Sequence, residues 1–224
     1  MPKTNLKTLA YNTIRQKIVT CKFAPGAFIN EELLTEELHL SRTPIRDALG
    51  RLEQEGLIQI MPKRGIMVTP LSVKDINMIF EVRLLYEPYI LKNYGSLIPE
   101  KPMIDFYNMF LHKKSKEECL ENNDYFYNMD SEFHSVIVNA CPNTYIRQNY
   151  NQIWTQNQRF RFMSGTFSEN RMAETFQEHL TIAALCLQKN WEEAAEKMID
   201  HIEESKKATF KLIFDNLDSN NIKM

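Results

Sequence analysis

Residues 39–68 read HLSRTPIRDALGRLEQEGLIQIMPKRGIMV, and their reading decides the fold. Two hydroxyl residues, Ser41 and Thr43, flank Arg42. With Thr43 as N-cap, Pro44 takes the first helical position, where its missing N–H costs little. Ile45, Ala48, Leu49 and Leu52 then recur at helical spacing as a buried stripe, and Gly56 supplies a left-handed stop. Arg42 and Arg46 stand four residues apart, so they project together, away from that stripe. Two short apolar runs, 57–61 and 66–69, follow; Pro62-Lys63-Arg64-Gly65 joins them and predicts a hairpin with a basic tip.

Upstream, Leu6, Leu9, Ala10, Ile14, Ile18 and Val19 make a helical stripe that ends before the turn signal Ala24-Pro25-Gly26. A second, short helix begins after Asn30 as N-cap and carries Leu33, Leu34 and Leu38. Three helices and a hairpin in this order predict a winged helix-turn-helix over residues 1–71. Downstream, Thr69-Pro70-Leu71-Ser72 marks a boundary, and Ser72 with Asp75 resembles a capping box opening a helix over 73–94. Pro88 falls inside that helix, where the Leu84 carbonyl loses its partner and a kink is expected. The remaining chain is helical in rhythm, over roughly 101–113, 117–140, 143–163, 169–188 and 191–215, with Asn190 and Glu193 as another cap. The fold class is therefore mainly α: a winged helix-turn-helix, then an all-α bundle of about six helices over residues 72–224.

Composition agrees with a helical protein and narrows its class. Six glycines in 224 residues disfavour a turn-rich β architecture. Cys21, Cys119, Cys141 and Cys186 form no C-x-x-C pair, which suits reduced, buried thiols in a cytoplasmic protein. No apolar run is long enough to span a bilayer, and the first residues lack a signal peptide's apolar core. Residues 1–71 carry ten Lys/Arg against seven Asp/Glu, whereas the remainder carries 17 against 22. That asymmetry permits a polyanion-facing first domain on an acidic second one.

The quoted stretch also carries the chemistry of DNA reading. At the start of a recognition helix, arginines such as Arg42 and Arg46 reach base edges in the major groove, where guanine O6 and N7 accept two N–H bonds. Ser41 and Thr43 can donate to phosphate oxygens, and the free helix-start N–H groups favour phosphate there too. Lys63 and Arg64 at the hairpin tip would meet phosphates or the adjacent minor groove, with Gly65 allowing the turn. A solvated basic face would account for any one of these residues, but not for all of them in this element order. "LSRTPIRDALGRLEQEGLI" followed by "KRG" resembles the signature of GntR-family bacterial transcription factors. "IRQKIVTCKFAPGAFINEELLTEEL" is similar to that family's first two helices and their turn, so the resemblance covers residues 6–70. It places Ser41, Arg42, Thr43, Arg46 and Gly65 on the family's DNA-contacting motif. The sequence departs from the pattern at Asp47, where Glu is commoner, at Gly50 inside a helix, and at Glu32, where some relatives use a basic residue.

Five histidines, His39, His112, His134, His179 and His201, raise a second question. In "MDSEFHSVI" Asp130 and His134 stand at i and i+4 on one helix face, a good pair of ligand arms. His179 lies in "FQEHLTIAAL" and His201 in "KMIDHIEES", each on the inward edge of its own helix. Spacing leaves two readings open: three helices converging on one cation, or separate buried histidines satisfied by hydrogen bonds. The pattern D-x-x-x-H, then E-H-x-x-I, then a further His looks like the metal-binding ligand domain of the FadR subfamily, called FCD, over roughly 72–215. That resemblance implies a divalent ion (zinc, nickel or manganese) on Asp130, His134, His179 and His201, and gives His39 and His112 no role. It also places Arg83 in an effector cavity, where a guanidinium could clamp a small carboxylate bidentately. Spacing alone leaves Arg83 equally a surface residue paired with Glu81 or Glu87. Phe126, Tyr127, Phe133, Phe160 and Phe176 could wall the cavity, or be plain core.

The expected function is a ligand-responsive DNA-binding regulator, a repressor by expectation, acting as a homodimer on a palindromic double-stranded operator and sensing a small organic acid. A metal-dependent hydrolase with an accessory DNA-binding domain is the rival, since a metal with open positions also suits catalysis. It lacks an H-E-x-x-H motif, and Glu132, two residues from Asp130 and His134, points off their face. A direct sensor of the metal ion is a third reading.

Overall fold

The computed structural model describes residues 5–111, 123–164 and 168–221. The chain divides into two compact units, Met1–Asp75 with Thr155–Met163, and Ile76–Trp154 with Ser164–Met224.

The first unit begins with α1 (Leu6–Val19), capped by the Asn5 side chain. A two-residue strand β1 (Phe28–Ile29), α2 (Glu31–Leu38) and α3 (Arg42–Gln54) follow, then the hairpin β2 (Ile58–Met61) and β3 (Gly65–Val68). Asn30 caps α2 as expected, its side chain accepting from the Glu32 N–H. α3 differs at its start: Ser41, not Thr43, is the N-cap. Pro44 is thereby shifted to the third helical position, still within the first turn, where backbone N–H groups have no intrahelical acceptor and proline remains harmless. Gly56, at φ +71°, follows the helix end. The stripe of Ile45, Leu49 and Leu52 packs with Ala10, Ile14 and Ile18 of α1 and Leu34 of α2 into one core, closed by Ile58 and Val68 of the hairpin.

The hairpin pairs Ile58 with Val68 and Met61 with Gly65, leaving 62–64 as its tip. Lys63 at φ +63° and Gly65 at φ +100° turn the chain, and Gly65 reaches an angle that side chains rarely tolerate. β1 adds a third strand that the sequence reading lacked, pairing Phe28 with Met67 and Ile29 with Ile66. Two more bonds, Gly26 N–H to the Val68 carbonyl and Val68 N–H to the Ala27 carbonyl, tie the wing to the segment before α2.

The second unit is built on α4 (Val73–Tyr94), α5 (Glu100–Leu111), α6 (Asn123–Asn139), the first part of α7 (Thr144–Ser164), whose residues Thr155–Met163 group with the first unit, α8 (Glu169–Leu187) and α9 (Trp191–Asn221). The capping box at α4 forms: Ser72 N–H and Oγ both donate to Asp75 Oδ2, and Asp75 N–H returns to Ser72 Oγ. α4 continues through Pro88. Asn190 and Glu193 pair as the cap of α9. α8 packs on α5 and α9, around buried Ile182, Ala183, Ala194, Ala195 and Met198. Where α4 passes into a short 3-10 turn, Gly95 lies under the Trp191 ring that opens α9; a Cβ there would come within 2.6 Å of two indole carbons. Among the described residues no helix is long and apolar enough to cross a membrane. Cys21, Cys141 and Cys186 are free thiols, while Cys119 and His112 lie outside the described residues.

Candidate metal centre and nucleic-acid interface

Inside the second unit, α6, α8 and α9 bring Asp130, His134, His179 and His201 together. All four are fully buried, and one ligand atom from each lies within 4.8 Å of the others. His201 Nε2 is 3.3 Å from both His134 Nε2 and His179 Nε2. Asp130 Oδ1 is 3.9 Å from His134 Nε2 and 3.7 Å from His179 Nε2. Glu132 is exposed, off the ligand face. His39 is exposed too, and closes α2 in a left-handed conformation.

Two carboxylates set the direction in which the imidazoles face. His134 Nδ1 lies 2.6 Å from Glu87 Oε2, and His201 Nδ1 lies 2.7 Å from Glu178 Oε2. An ionised carboxylate only accepts, so in both rings Nδ1 carries the proton. In the neutral rings each Nε2 then presents a lone pair to the other at 3.3 Å, an arrangement that favours a shared cation between them. Donors each about 2.1 Å from one ion and 3.3 Å apart would subtend roughly 105°, so the nitrogen spacing fits coordination without rearrangement. Burial holds the His179 and His201 imidazoles well below their ordinary pKa, with neighbouring histidines adding to the effect. Neutral imidazoles are the form that coordinates. His179 has no such carboxylate: its Nδ1 lacks a partner among the described residues, and the ring is held by packing 4.5 Å from Phe133 and 5.3 Å from Phe110.

Arg83 is not a surface residue. It is fully buried, donates from Nε to Glu87 Oε1 at 2.7 Å, and places Nη2 3.5 Å from His134 Nε2. Its guanidinium also lies 4.9 Å from the Trp154 ring centroid. Its Nη1 is buried with no hydrogen-bond partner among the described residues. Glu87 Oε1 accepts a further bond from the Tyr150 hydroxyl at 2.8 Å. Burial raises the Glu87 carboxyl, but the Arg83 charge and then His134 outweigh it and hold the group below the usual carboxylate range. Burial likewise lowers Arg83, and Glu87 more than reverses that. On the other side, Arg171 grips Glu178 with both Nη atoms at 2.6 and 2.9 Å. A cleft of about 360 Å³ between α8 and α9, edged by Glu174, Asp200 and Glu204, reaches Glu178 and His201. Phe160 groups with the first unit; Phe133 packs directly on His179.

The sequence reading missed Glu87, Tyr150, Glu178 and Arg171 as parts of this cluster. Glu87 left a signal in standing four residues after Arg83 in helical register, and Glu178 in being the acidic residue of the E-H-x-x-I pattern, though neither was given a role.

On the first unit, Ser41, Arg42, Thr43 and Arg46 are all exposed at the start of α3, and Lys63, Arg64 and Gly65 are exposed at the hairpin tip. Ser41 makes no side-chain cap bond. Arg42 Nη2 lies 3.0 Å from Glu32 Oε1, and Arg46 Nε lies 2.9 Å from Glu31 Oε1.

Comparison with known proteins places both units. Residues 6–68 match the family model for bacterial regulatory proteins of the gntR family, and residues 107–204 match that of the FCD domain. The chain is 27% identical over 210 residues to the HTH-type transcriptional repressor RspR of Escherichia coli K12, covering 93% of this chain and 90% of that one. It is 42% identical over 78 residues to an HTH-type transcriptional regulator from the TAR-I ttuE-ttuC' intergenic region of Agrobacterium vitis; that alignment covers 35% of this chain and 46% of the relative, less than half its length. Among solved structures, a GntR transcriptional regulator from Rhodococcus sp. RHA1 superposes with a TM-score of 0.76 at 17% identity, over 93% of this chain and 99% of that one. The Zn2+-bound FCD domain of TM0439 superposes with a TM-score of 0.53 at 21% identity, over 63% of this chain and 96% of that one. At these identities the two structures speak for the fold. With a gntR-type winged helix followed by an FCD domain, the chain belongs to the GntR family and is a DNA-binding transcriptional regulator rather than an enzyme.

Proposed function

We propose that this regulator is a cytoplasmic homodimeric repressor that senses a small organic acid through a metal-containing pocket. Asp130, His134, His179 and His201 hold a divalent ion, zinc, nickel or manganese, with Glu87 and Glu178 fixing two of the imidazoles from behind. When bound, the ion supplies a net positive charge with coordination positions open to an anion. Arg83 and Glu87 cancel in charge, so Asp130 is the remaining anionic member of the fully buried cluster; with a divalent ion the balance becomes positive, suited to a monocarboxylate or a larger acid. The observation that carries this reading is the buried, unpartnered Nη1 of Arg83 beside the ligand cluster. A buried donor without an acceptor costs about 1–3 kcal/mol, and a carboxylate oxygen would remove that cost. The TM0439 domain, named as Zn2+-bound, supports the ion, and the name of RspR supports repression.

Ser41, Arg42, Thr43 and Arg46 read and position the duplex in the major groove, while Lys63, Arg64 and Gly65 bring the wing to its backbone. Two copies on a palindromic operator double these contacts. Acid binding shifts the population of bundle conformations that hold the winged domains at operator spacing.

Elemental analysis and calorimetry test the pocket. Purified protein should carry close to one divalent ion per chain, and His179→Ala should lower that content. Small carboxylates should bind metal-loaded protein, and Arg83→Met should abolish the heat. Unchanged metal content in His179→Ala would refute the ligand set, and DNA affinity that follows metal loading with no acid would make the ion itself the signal.

A further inference from the structure

The reading face is not purely basic. Arg42 and Arg46 of α3 are each engaged by a carboxylate from the first turn of α2, and the two are engaged at different atoms. The difference matters because a guanidinium offers two edges that can donate a pair of parallel N–H bonds, a side edge of Nε with Nη2 and an end edge of Nη1 with Nη2.

Glu31 accepts from Nε of Arg46. This occupies the side edge alone and leaves the end edge whole, ready for guanine O6 and N7. Glu32 accepts from Nη2 of Arg42, the nitrogen common to both edges; it takes one of that nitrogen's two hydrogens and sets a negative charge against the guanidinium where a base or phosphate would bind. Exposure follows the same division: the Glu31 side chain is 29% exposed, the Glu32 side chain 68%. The Asn30 cap bonds the Glu32 N–H at 2.8 Å and sets both carboxylates in the first turn of α2, where the helix dipole favours negative charge.

We propose that Glu31 and Glu32 determine DNA specificity, Glu31 as a positioning residue that holds Arg46 for end-edge contact, and Glu32 as a charge that competes with phosphate for Arg42. Glu31 stays bound to Arg46 in the complex. Glu32 repels phosphate and competes with it for Arg42, so it suppresses binding to unrelated DNA. The inference rests on α3 being the reading helix.

The test uses the full-length protein, a duplex enriched from a random library by the unsubstituted chain, and a scrambled duplex of the same composition. Glu31→Ala should weaken binding to the enriched duplex about tenfold while leaving the scrambled one within about twofold, the signature of a base contact. Glu31→Gln, which keeps an acceptor for Nε, should restore most of that loss. Adding Glu31→Ala to Arg46→Ala should change nothing further, since Glu31 acts through Arg46. Glu32→Gln should tighten binding to the scrambled duplex several-fold more than to the enriched one, with a steeper salt dependence. If Arg46→Ala destroys the preference while both glutamate variants keep it, the present inference fails and the reading helix stands. If Arg46→Ala leaves the preference intact, the assignment of α3 fails with it.

Discussion

Arg46 on α3 and Arg83 on α4 make nearly the same bond, Nε to a glutamate oxygen at 2.9 and 2.7 Å, in opposite surroundings. The Arg46 side chain is 66% exposed, and Arg83 and Glu87 are both fully buried. Water and salt weaken the first pair until it contributes little to folding, and its guanidinium keeps a second edge open to a further acceptor. The second pair is shielded from solvent and shared with Tyr150 and His134, so it fixes a geometry. The molecule thus separates an ion pair open to a further partner from one closed to water.

That contrast can be attacked from its strong side first. Glu87→Ala leaves a guanidinium, a phenol hydroxyl and an imidazole N–H buried without their acceptor. It should lower unfolding stability by about 3–5 kcal/mol in urea titrations; a loss under about 1 kcal/mol would mean that the pair is not sealed from water. Glu87→Gln keeps the shape but removes the charge behind His134. Zinc affinity by calorimetry should then fall roughly 10- to 100-fold, and an unchanged value would leave Glu87 no role in orienting the ligand. Arg46→Ala should behave in the opposite sense to Glu87→Ala. Operator affinity should drop by about 1–3 kcal/mol while unfolding stability moves by no more than about 0.5 kcal/mol. At the weak end, a double-mutant cycle on Arg42 and Glu32, read by thermal unfolding, should return a coupling of about 1 kcal/mol or less. A larger coupling would make that pair structural and erase the distinction from Arg83 and Glu87.

The parts of the fold that sequence reveals are those governed by local rules. The period of Ile45, Ala48, Leu49 and Leu52 identifies α3, and Ser72 with Asp75 marks the start of α4, because the partners of each lie within a turn or two. The N-cap of α3 was misplaced by two residues because Ser41 and Thr43 both suit the position, and Pro44 is tolerated throughout the first turn. β1 escaped notice since two residues, Phe28 and Ile29, display no period; only their pairing with Met67 and Ile66 makes them a strand. Asp130, His134, His179 and His201 could be named from the sequence, but their convergence depends on the packing of three helices. Tyr150 matters only for what it faces, and nothing in its own neighbourhood announces it; Glu178 stands next to His179 in the E-H-x-x-I pattern, but that it backs His201 depends on the packing of α8 on α9. Arg83 shows the same limit: its helical partner Glu87 was a candidate from spacing, but its complete burial was not.

Gly95 offers a last lesson from outside the cluster. The Trp191 indole rests where Gly95 has no side chain, so the heel of α9 is wedged against the end of α4. A helix rises about 1.5 Å per residue, which puts His201 about 15 Å along the same rod. A single methyl group at 95 would push on the heel and swing the far point, spoiling the aim of an imidazole it never meets. The empty space beside the Gly95 backbone therefore helps to aim a histidine ten residues along α9.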